Sequence, residues 1–308
     1  MEQPVYRGRQ SRNELPGGAM RRLLLWCRTM KTFSARSGSG MIQTASGYGQ
    51  TTFVRYCLVA VLLCAFGAVH AEAACSHVGP LWTCTDQGSP SANGADFTAA
   101  LAAAICGETI QLTAGVAFQP SASAVFTLRD AGDCSANPII IESSAMGSLP
   151  SGTRVGAAQI TSLAKLIGES VAGLPAVRTA PGARGRILRG LEITDPYTTC
   201  SAYTNTLVDI DVTGSGAGGY PTYAELIGTH HITLDRVYVH PACIAVNGGE
   251  THVSAQIGIN VAGPNFTLSH STVSGFAGYY PGTTTTTNSY GLTYGAGGPA
   301  TIINNDIQ

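Results

Sequence analysis

The sequence is poor in charged residues and almost free of lysine. Only 11% of its 308 residues are Asp, Glu, Lys or Arg, and the only lysines are Lys31 and Lys165. Coiled coils and helical bundles need more charge on their exposed faces, and disordered chains are less apolar than the 44% found here. Clustered basic side chains, which a nucleic-acid-binding surface requires, are missing from the body of the chain. These absences leave a folded domain with a sizeable apolar core.

The basic residues that are present lie mostly at the beginning of the chain. Residues 1–71 contain nine Lys/Arg and two acids, whereas residues 72–308 contain eight Lys/Arg and sixteen acids. The chain is therefore a basic leader joined to an acidic body. The negative charge of the body repels phosphate backbones, which argues against a nucleic-acid partner, and attracts cations such as calcium.

An uncharged stretch of the leader has the length of a secretory signal. Residues 56–69 follow Arg55 and precede small-x-small sequences at residues 69–73. About fourteen apolar residues are too few for a membrane span, which needs roughly 20. We therefore expect a signal peptide within residues 1–71 and a body over 72–308 that is secreted, periplasmic or on the cell surface. No stable membrane span is expected after cleavage.

The body contains an even number of cysteines. Six of the nine lie beyond the leader: Cys75, Cys84, Cys106, Cys134, Cys200 and Cys243. In an exported protein an even number indicates disulfides, with free buried thiols and metal ligands as the alternatives. Pairing neighbours along the chain gives Cys75–Cys84, Cys106–Cys134 and Cys200–Cys243. The spacings that are typical of a zinc site do not occur.

An internal repeat organises the body. Segments 232–239, 266–273 and 300–307 align without gaps at intervals of 34 residues, and segment 186–193 fits the same frame 46 residues earlier. The alignment produces two apolar columns, which are Leu188, Leu234, Leu268 and Ile302, and Ile193, Val239, Val273 and Ile307. A further apolar strand precedes three of the units, at Leu226–Ile227, Ile257–Ile259 and Tyr290–Leu292.

This repeat predicts an all-β fold. Units of two or three short strands cannot close a core alone, so they stack, and equivalent strands then pair in parallel. The column Leu191, Val237, Ser271 and Asn305 changes toward polar side chains that can stack at a turn. We therefore predict a right-handed parallel β-helix, with a β-sandwich as the alternative because it also contains many short strands.

A helix is predicted at the N-terminal edge of the stacked strands. It covers residues 96–106, with Asp96 as a suitable N-cap and Gly107 as a suitable C′ residue. Stacked strands expose an edge that templates aggregation unless another element covers it. We expect this helix to cap the first coil.

Both ends of the sequence are unusual for an exported β-helix. The leader is long and basic, and a start at Met41 would give it an ordinary length. The last repeat ends one residue before Gln308, without a second cap. We therefore expect a start downstream of Met1 and a C-terminally truncated domain with further coils.

Five segments resemble the pectate-lyase-like superfamily. They are DFTAALAAAICGETIQLTAGVAF at 96–118, PIIIESS at 138–144, GLEI at 190–193, HITLDRVYVH at 231–240 and IINN at 302–305. The closest likeness is to exported bacterial β-helix repeat proteins, and it covers about residues 75–308. The resemblance implies the β-helix fold and an extracellular, uronate-rich polysaccharide as partner. It does not imply one activity, because this scaffold hosts lyases, hydrolases, esterases, epimerases and non-enzymes.

The triplet Leu234-Asp235-Arg236 is the first candidate site. It stands where pectate lyases have an Ile-Asp-His stretch whose Asp binds calcium. The resemblance therefore implies a calcium-dependent uronate lyase in which Asp235 and Arg236 are catalytic, Asp235 as metal ligand and Arg236 as base or substrate clamp. The alternative is a structural ion pair with Arg189, which shares the column of Asp235. The family's Arg-x-Pro-x-x-Arg motif is missing.

A second candidate is a pair of carboxylates on one predicted strand. Asp209 and Asp211 are two residues apart, so both side chains would lie on the same face. They would serve as the acid and base of a glycoside hydrolase, as calcium ligands, or only as solvated surface residues. The sequence signatures of polygalacturonases do not occur, which makes a hydrolase the weaker enzyme hypothesis.

Polar and aromatic side chains supply the candidates for substrate binding. Arg236, His270 and Asn304 share one column and would bind sugar hydroxyls or carboxylates if that column faces outward. Tyr238 is a candidate for stacking on a sugar ring. Residues 278–290, rich in Gly and Thr, would form an exposed loop. The alternative to all these roles is a non-catalytic surface or adhesion solenoid.

Overall fold

The computed structural model describes residues 75–169, 173–210, 230–247, 250–276, 289–295 and 298–308. All of them belong to one compact unit, His70–Gln308. The predicted leader, its cleavage site and the apolar pair Leu226–Ile227 lie outside the described residues, as does most of the predicted loop 278–290. No helix in the described part of the chain is long and apolar enough to cross a membrane.

Strands make up most of the regular structure. The α-helix, α1, is Pro90–Ala103, and two 3-10 helices are Met146–Ser148 and Ala157–Ser162. The strands in chain order are β1 Ser76–Val78, β2 Leu81–Cys84, β3 Thr109–Leu112, β4 Ala117–Phe118, β5 Phe126–Leu128, β6 Ile139–Ser143, β7 Ala164–Ile167, β8 Val177–Thr179, β9 Arg184–Arg189, β10 Leu191–Thr194, β11 Thr204–Ile210, β12 His230–Asp235, β13 Tyr238–Val239, β14 Ile244–Asn247, β15 Glu250–Val253, β16 Ala255–Val261, β17 Phe266–Ser269, β18 Thr272–Val273, β19 Tyr290–Tyr294, β20 Ala300–Ile303 and β21 Asp306–Ile307.

Most strands belong to three sheets whose neighbours run in parallel. Sheet A has the order β1-β2-β3-β6-β9-β12-β17-β20, sheet B the order β21-β18-β13-β10-β7-β4, and sheet C the order β19-β16-β11-β8-β5. Among the described strands, antiparallel pairing is confined to β1 with β2 and to the β14–β15 hairpin. The prediction of an all-β domain is confirmed.

From β3 onward the chain enters the three sheets in a fixed order. A strand of sheet A is followed by one of sheet B and one of sheet C, and only the β14–β15 hairpin interrupts the sequence. Equivalent repeats therefore pair side by side. Both predicted columns are confirmed by the register, in which Leu188, Leu234, Leu268 and Ile302 are successive partners, as are Ile193, Val239, Val273 and Ile307.

Apolar columns of this kind form the core. A third one, in sheet C, contains Phe126, Val177, Val208, Ile259 and Leu292. Leu188, Leu234 and Leu268 are at most 1% exposed, whereas Ile302, on the last strand of sheet A, is 48% exposed. Burial thus continues along each column and ends at its last strand.

The predicted polar column stabilises the turn between sheets A and B. The Val237 N–H donates to Ser271 Oγ at 3.0 Å, and the Ser271 N–H donates to Asn305 Oδ1 at 2.9 Å. Asn305 Nδ2 donates in turn to the carbonyl of Leu268 at 2.8 Å. These side chains satisfy backbone groups that strand pairing leaves open.

Helix α1 begins six residues earlier than the sequence predicts. Ser89 is the N-cap, with Oγ accepting from Ala92 N–H, and Pro90 occupies the first turn, so Asp96 lies inside the helix. The prediction of Asp96 as N-cap is wrong, because Ser89 has that role and the helix already includes the residues that precede Asp96. Glycine is required at position 94 of the helix because a Cβ there would overlap the carbonyl oxygen of Gln119.

Helix α1 packs against the edge strands β4 and β5, as expected of a cap. Phe97 contacts Phe118 and Phe126, with ring centroids 6.0 and 4.8 Å apart. At the other end, Arg129 Nη2 donates to the carbonyl of Ala104 at 2.7 Å. This cation satisfies a C-terminal carbonyl and lies at the negative end of the helix dipole.

Three disulfides cross-link the chain, and all three match the predicted pairing. They are Cys75–Cys84, Cys106–Cys134 and Cys200–Cys243. The first closes the β1–β2 hairpin. Disulfides of this number are typical of proteins that fold in an oxidising compartment.

Candidate functional site

One position of the repeat joins each strand of sheet A to the next strand of sheet B. Its occupants are Gly190, Arg236, His270 and Asn304, which directly follow β9, β12, β17 and β20. All four have a left-handed backbone, with φ of 63°, 52°, 50° and 52°. We call these four residues the junction column. It contains the three residues that the sequence placed in one column.

Backbone hydrogen bonds hold the junction column in this conformation. The Arg236 N–H donates to the carbonyl of Ser269 at 2.9 Å, and the His270 N–H donates to the carbonyl of Ile303 at 3.1 Å. Gly adopts φ above zero without penalty and Asn does so readily, but Arg and His lose about 1 kcal/mol each. Such strain is concentrated at functional sites. Arg236 and His270 are therefore the first residues to consider.

The side chain of Asp235 connects these two residues. Its Oδ1 accepts from Ser269 Oγ at 2.8 Å and from His270 Nδ1 at 3.1 Å, and its Oδ2 accepts from Arg236 Nε at 3.0 Å. The contacts join strand β12 to its parallel neighbour β17, in which Ser269 is the register partner of Asp235. We call Asp235, Arg236, Ser269 and His270 the Asp235 cluster.

The contacts of the Asp235 cluster determine where its protons lie. Burial raises the pKa of Asp235, but hydrogen bonds from His270, Ser269 and Arg236, together with the charge of Arg236, outweigh it and hold the pKa below the ordinary 3.8. An ionised carboxylate only accepts, so His270 Nδ1 carries a hydrogen. In the neutral ring, Nε2 then holds the lone pair. No described residue hydrogen-bonds Nε2, and the side chain is 27% exposed.

Arg236 also retains unused hydrogen-bond donors. Its Nε contacts Asp235, while no described residue accepts from either of its two Nη atoms. The side chain is 19% exposed. A guanidinium offers a planar pair of donors that matches a carboxylate. The Asp235 cluster therefore combines a free imidazole nitrogen with a free face of a cation.

The expected ion pair between Arg189 and Asp235 does not form. The two residues are register partners, as predicted, but Arg189 donates from Nε and Nη2 to Glu142 Oε2 at 2.7 and 2.6 Å. Glu142 lies on the strand on the other side of Arg189. Asp235 forms its ion pair with Arg236 instead.

Residues 144–163, between β6 and β7, contact the junction column from outside the repeat. The Val155 N–H donates to the carbonyl of His270 at 3.1 Å, and Asn304 Nδ2 donates to the carbonyl of Gly152 at 2.9 Å. These two bonds bring a distant segment to the Asp235 cluster. We call residues 144–163 the crossing segment.

The crossing segment carries Arg154, a residue that the sequence analysis missed. Arg154 is exposed, directly precedes Val155, and forms no ion pair with a described residue. No sequence pattern marked it, because the gapless repeat begins only at residue 186. The sequence signal for an inserted segment is the distance along the chain between Ile139 of β6 and its register partner Arg186. This distance is longer than the 34-residue interval of the later repeats.

Tyr238 supports the crossing segment. Its ring packs against a buried cluster of Met146, Leu149, Val155 and Leu163, and it stacks on His240 with ring centroids 4.3 Å apart. Burial raises the pKa of the Tyr238 hydroxyl, and the charge of Glu192 raises it further. The half-buried ring has a structural role here, and its contact with a sugar stays a prediction.

The candidate carboxylates are not brought together by the described structure. Asp209 lies in sheet C, where it accepts from Asn260 Nδ2 at 3.1 Å, and Asn260 Oδ1 accepts from Thr293 Oγ1 at 2.7 Å. Asp235 lies in sheet A, and Asp211 is outside the described residues. The described segments contain no group of three or more His, Cys, Asp or Glu side chains that could hold a metal.

A calcium ion does not suit Asp235 in this arrangement. Calcium takes six to eight oxygen ligands, but both oxygens of Asp235 already accept hydrogen bonds. A guanidinium nitrogen only 3.0 Å from Oδ2 also repels a second cation. The contacts therefore favour Asp235 as a hydrogen-bond acceptor for His270 and Arg236.

Comparison with known proteins identifies no relative. No protein-family model, curated protein or solved structure matches the chain. The resemblance to the pectate-lyase-like superfamily stays an expectation from the sequence, and function is inferred from the geometry around the junction column.

Proposed function

We propose that the chain is an exported right-handed parallel β-helix that binds an acidic extracellular polysaccharide along the junction column. The binding surface consists of Arg236, His270 and Asn304 together with Arg154 of the crossing segment. The observation that carries the proposal is the pair of unoccupied Nη atoms on Arg236, beside an imidazole with a free Nε2.

The strand order supports the β-helix. Three parallel sheets are entered in rotation, and each apolar column advances by one strand per repeat. A chain that stacks equivalent strands in this way winds around a common core. Parallel crossover connections are right-handed in about 98% of cases, which favours the right-handed form.

The distribution of basic side chains supports an anionic ligand. The body has eight Lys/Arg, and most already have a partner within it. Those with a partner are Arg129 at the end of α1, Lys165 with Glu192, Arg178 with Thr127, Arg184 near Asp133, Arg186 against backbone carbonyls, and Arg189 with Glu142. Arg154 and the Nη atoms of Arg236 remain. Arg236 belongs to the junction column, and Arg154 directly precedes Val155, whose N–H donates to the carbonyl of His270 in that column.

The properties of the surface favour a polysaccharide among anionic polymers. The acidic body repels densely charged phosphate backbones, whereas a uronate polymer has one carboxylate per sugar and neutral hydroxyl groups between them. Arg236, His270 and Asn304 directly follow three successive parallel strands, which are spaced about 4.8 Å apart, and they offer a cation, an imidazole and an amide. Such a row matches alternating carboxylates and hydroxyls.

Titration of the purified chain with polygalacturonate, alginate and a neutral glucan tests the proposed binding. We expect the acidic polymers to bind, the neutral one not to bind, and salt to weaken binding through charge screening. Arg236→Ala and Arg154→Ala are each expected to weaken binding about tenfold, which corresponds to about 1.4 kcal/mol.

Arg184→Ala is the matched control for these variants. Arg184 is a partly exposed arginine of β9, and its Nη1 lies 3.8 Å from Asp133 Oδ2. We expect its affinity to equal that of the parent chain. Equal binding of acidic and neutral polymers, or an Arg236→Ala affinity that matches the control, would contradict the proposal.

A second candidate is a non-catalytic surface or adhesion solenoid. It is favoured by the way carboxylates are used, because Glu108, Glu142 and Glu192 are all engaged by neighbouring donors. In that case the charged pairs only stabilise the stack. Failure of every acidic polymer to bind the folded protein would favour this alternative.

A further inference from the structure

We propose that His270 is the proton acceptor of an acid–base centre that cleaves the bound polysaccharide, with Asp235 as its positioning residue and Arg236 as the clamp for the substrate carboxylate. This inference rests on the proposed function, because it needs an acidic polysaccharide on the junction column. It assigns roles that differ from the sequence-based expectation, in which Arg236 was the base and Asp235 a calcium ligand.

The orientation of His270 is fixed by contacts on two sides. Its Nδ1 lies 3.1 Å from Asp235 Oδ1, and Ser269 Oγ holds the same oxygen at 2.8 Å. Its backbone is held by the carbonyl of Ile303 and by the N–H of Val155. An imidazole that donates from Nδ1 to a carboxylate presents Nε2 as an acceptor, which is the arrangement required of a general base.

The charged groups around His270 favour proton abstraction beside a carboxylate. Asp235 hydrogen-bonds to His270 and forms an ion pair with Arg236. Arg154 lies on the crossing segment next to Val155, and the Glu142–Arg189 pair continues the column of Asp235 in sheet A. Glycoside hydrolysis would need two carboxyl groups across the scissile bond. Among the described residues, Asp235 is the only carboxylate that contacts His270, and its oxygens are already occupied.

The reaction that these groups support is elimination. His270 Nε2 takes the proton from C5 of a uronate whose carboxylate lies on the Arg236 Nη atoms. The electron pair of the C5–H bond forms the C4=C5 double bond, and the C4–O bond breaks with its electron pair on the leaving oxygen. That oxygen takes the proton from His270 or from water. The products are an unsaturated uronide and a shortened chain, and no oxidant or further reactant is needed.

The test measures binding and cleavage on the same preparations of the full chain. Cleavage is followed by the absorbance of the unsaturated uronide, with polygalacturonate and alginate as substrates and with either calcium or a chelator present. His270→Gly is the first variant, because glycine accepts the left-handed backbone at this position, as Gly190 does. We expect kcat to fall by at least about 10²-fold, whereas binding should weaken by less than the roughly tenfold expected of Arg236→Ala, because the two arginines remain.

His231→Gly is the matched control, and imidazole is the diagnostic addition. His231 is an exposed histidine with φ of 58° at the other end of β12, so the same substitution has the same backbone effect away from the cluster. We expect its rates to equal those of the parent chain. Free imidazole should restore part of the rate of His270→Gly, which a merely structural role would not allow. Asp235→Asn should lower kcat about 10²-fold, and imidazole should not restore its rate.

The outcomes separate this inference from the proposed function. If no acidic polymer binds, both are overturned. If the polymers bind but the absorbance does not rise in the parent chain, the acid–base centre is overturned and the binding function stands. The inference is also overturned if His270→Gly keeps its rate, or if cleavage requires calcium and is lost only in Asp235→Asn.

Discussion

Single side chains in sheet B show how this domain uses its few charges. Glu192 is 2% exposed, and its Oε1 accepts from Lys165 Nζ and from His240 Nε2, each at 2.9 Å. Burial raises the pKa of Glu192, but these two partners outweigh it, so the pKa lies below the ordinary 4.5. A carboxylate whose pKa is depressed by folding stabilises the folded state at pH values above its unfolded pKa.

The pH dependence of Glu192→Gln follows from this sign. Near pH 7 we expect the variant to unfold with a free energy about 2 kcal/mol lower than the parent chain, because Lys165 loses its buried charged partner and His240 loses a charged acceptor. The difference should shrink as the pH falls below about 4.5, because the parent then loses the same interaction by protonation. Urea unfolding at pH 7 and pH 3 measures it.

Asp133→Asn is the control for this series. Asp133 is 58% exposed and lies 3.8 Å from Arg184, so we expect a change within about 0.5 kcal/mol at both pH values. A Glu192→Gln deficit that stays constant between pH 7 and pH 3 would contradict the assignment.

At the residue scale, the sequence predicted which residues share a column better than which side chains contact each other. It placed Arg236, His270 and Asn304 in one column, because gapless repeats transfer directly to the register. It did not predict that they share φ above zero, although Gly190 and Asn304 are residue types that favour that conformation. Which side chain forms an ion pair with which also depends on residues outside the gapless repeat. Arg189, for example, contacts Glu142, which precedes the first repeat segment.

The apolar columns are the elements that carry most of the core. Leu234 has register partners on both sides, Leu188 and Leu268, and is completely buried. Ile302 occupies the same column on the last strand and is 48% exposed. The same column therefore contains one fully buried residue, Leu234, and one half-exposed residue, Ile302.

This contrast predicts different costs for truncation to alanine. Leu234→Ala should lower the free energy of unfolding by about 3 kcal/mol, through lost burial and a cavity that the neighbouring strands cannot close. Ile302→Ala should lower it by about 1 kcal/mol or less, because half of its side chain is already in water. Chemical denaturation of both variants measures the two losses. Equal losses would contradict the difference in burial.

Elements inside the repeat were predictable and those outside it were not. The columns could be read because their apolar residues recur at fixed intervals, and the register reproduces them. The start of α1 was misplaced because Gly94, which lowers helix propensity, is required by close packing on Gln119. The crossing segment has 3-10 turns and no periodicity, so nothing in the sequence indicated its contacts with His270.

For the molecule as a whole, the disulfides add stability that stacking alone does not supply. The three bridges close separations of 9, 28 and 43 residues. The longest, Cys200–Cys243, joins the segment after β10 to the segment before β14. Asp195 joins the same two segments, because its Oδ2 accepts from the Ala242 N–H at 3.0 Å, and the same oxygen accepts from Ser254 Oγ, between β15 and β16, at 2.8 Å. The native connection therefore has both a covalent and a hydrogen-bonded part.

Removal of a single bridge should destabilise the molecule more when the loop that it closes is longer. Because a disulfide restricts the unfolded chain more when its loop is longer, we expect a loss of about 4 kcal/mol for Cys200→Ser/Cys243→Ser and about 2.5 kcal/mol for Cys75→Ser/Cys84→Ser. The Asp195 contacts should keep the first variant folded, so equilibrium unfolding can measure both losses. If the short bridge proved to be the more costly one to remove, native contacts in the β1–β2 hairpin would outweigh chain entropy as the source of stabilisation.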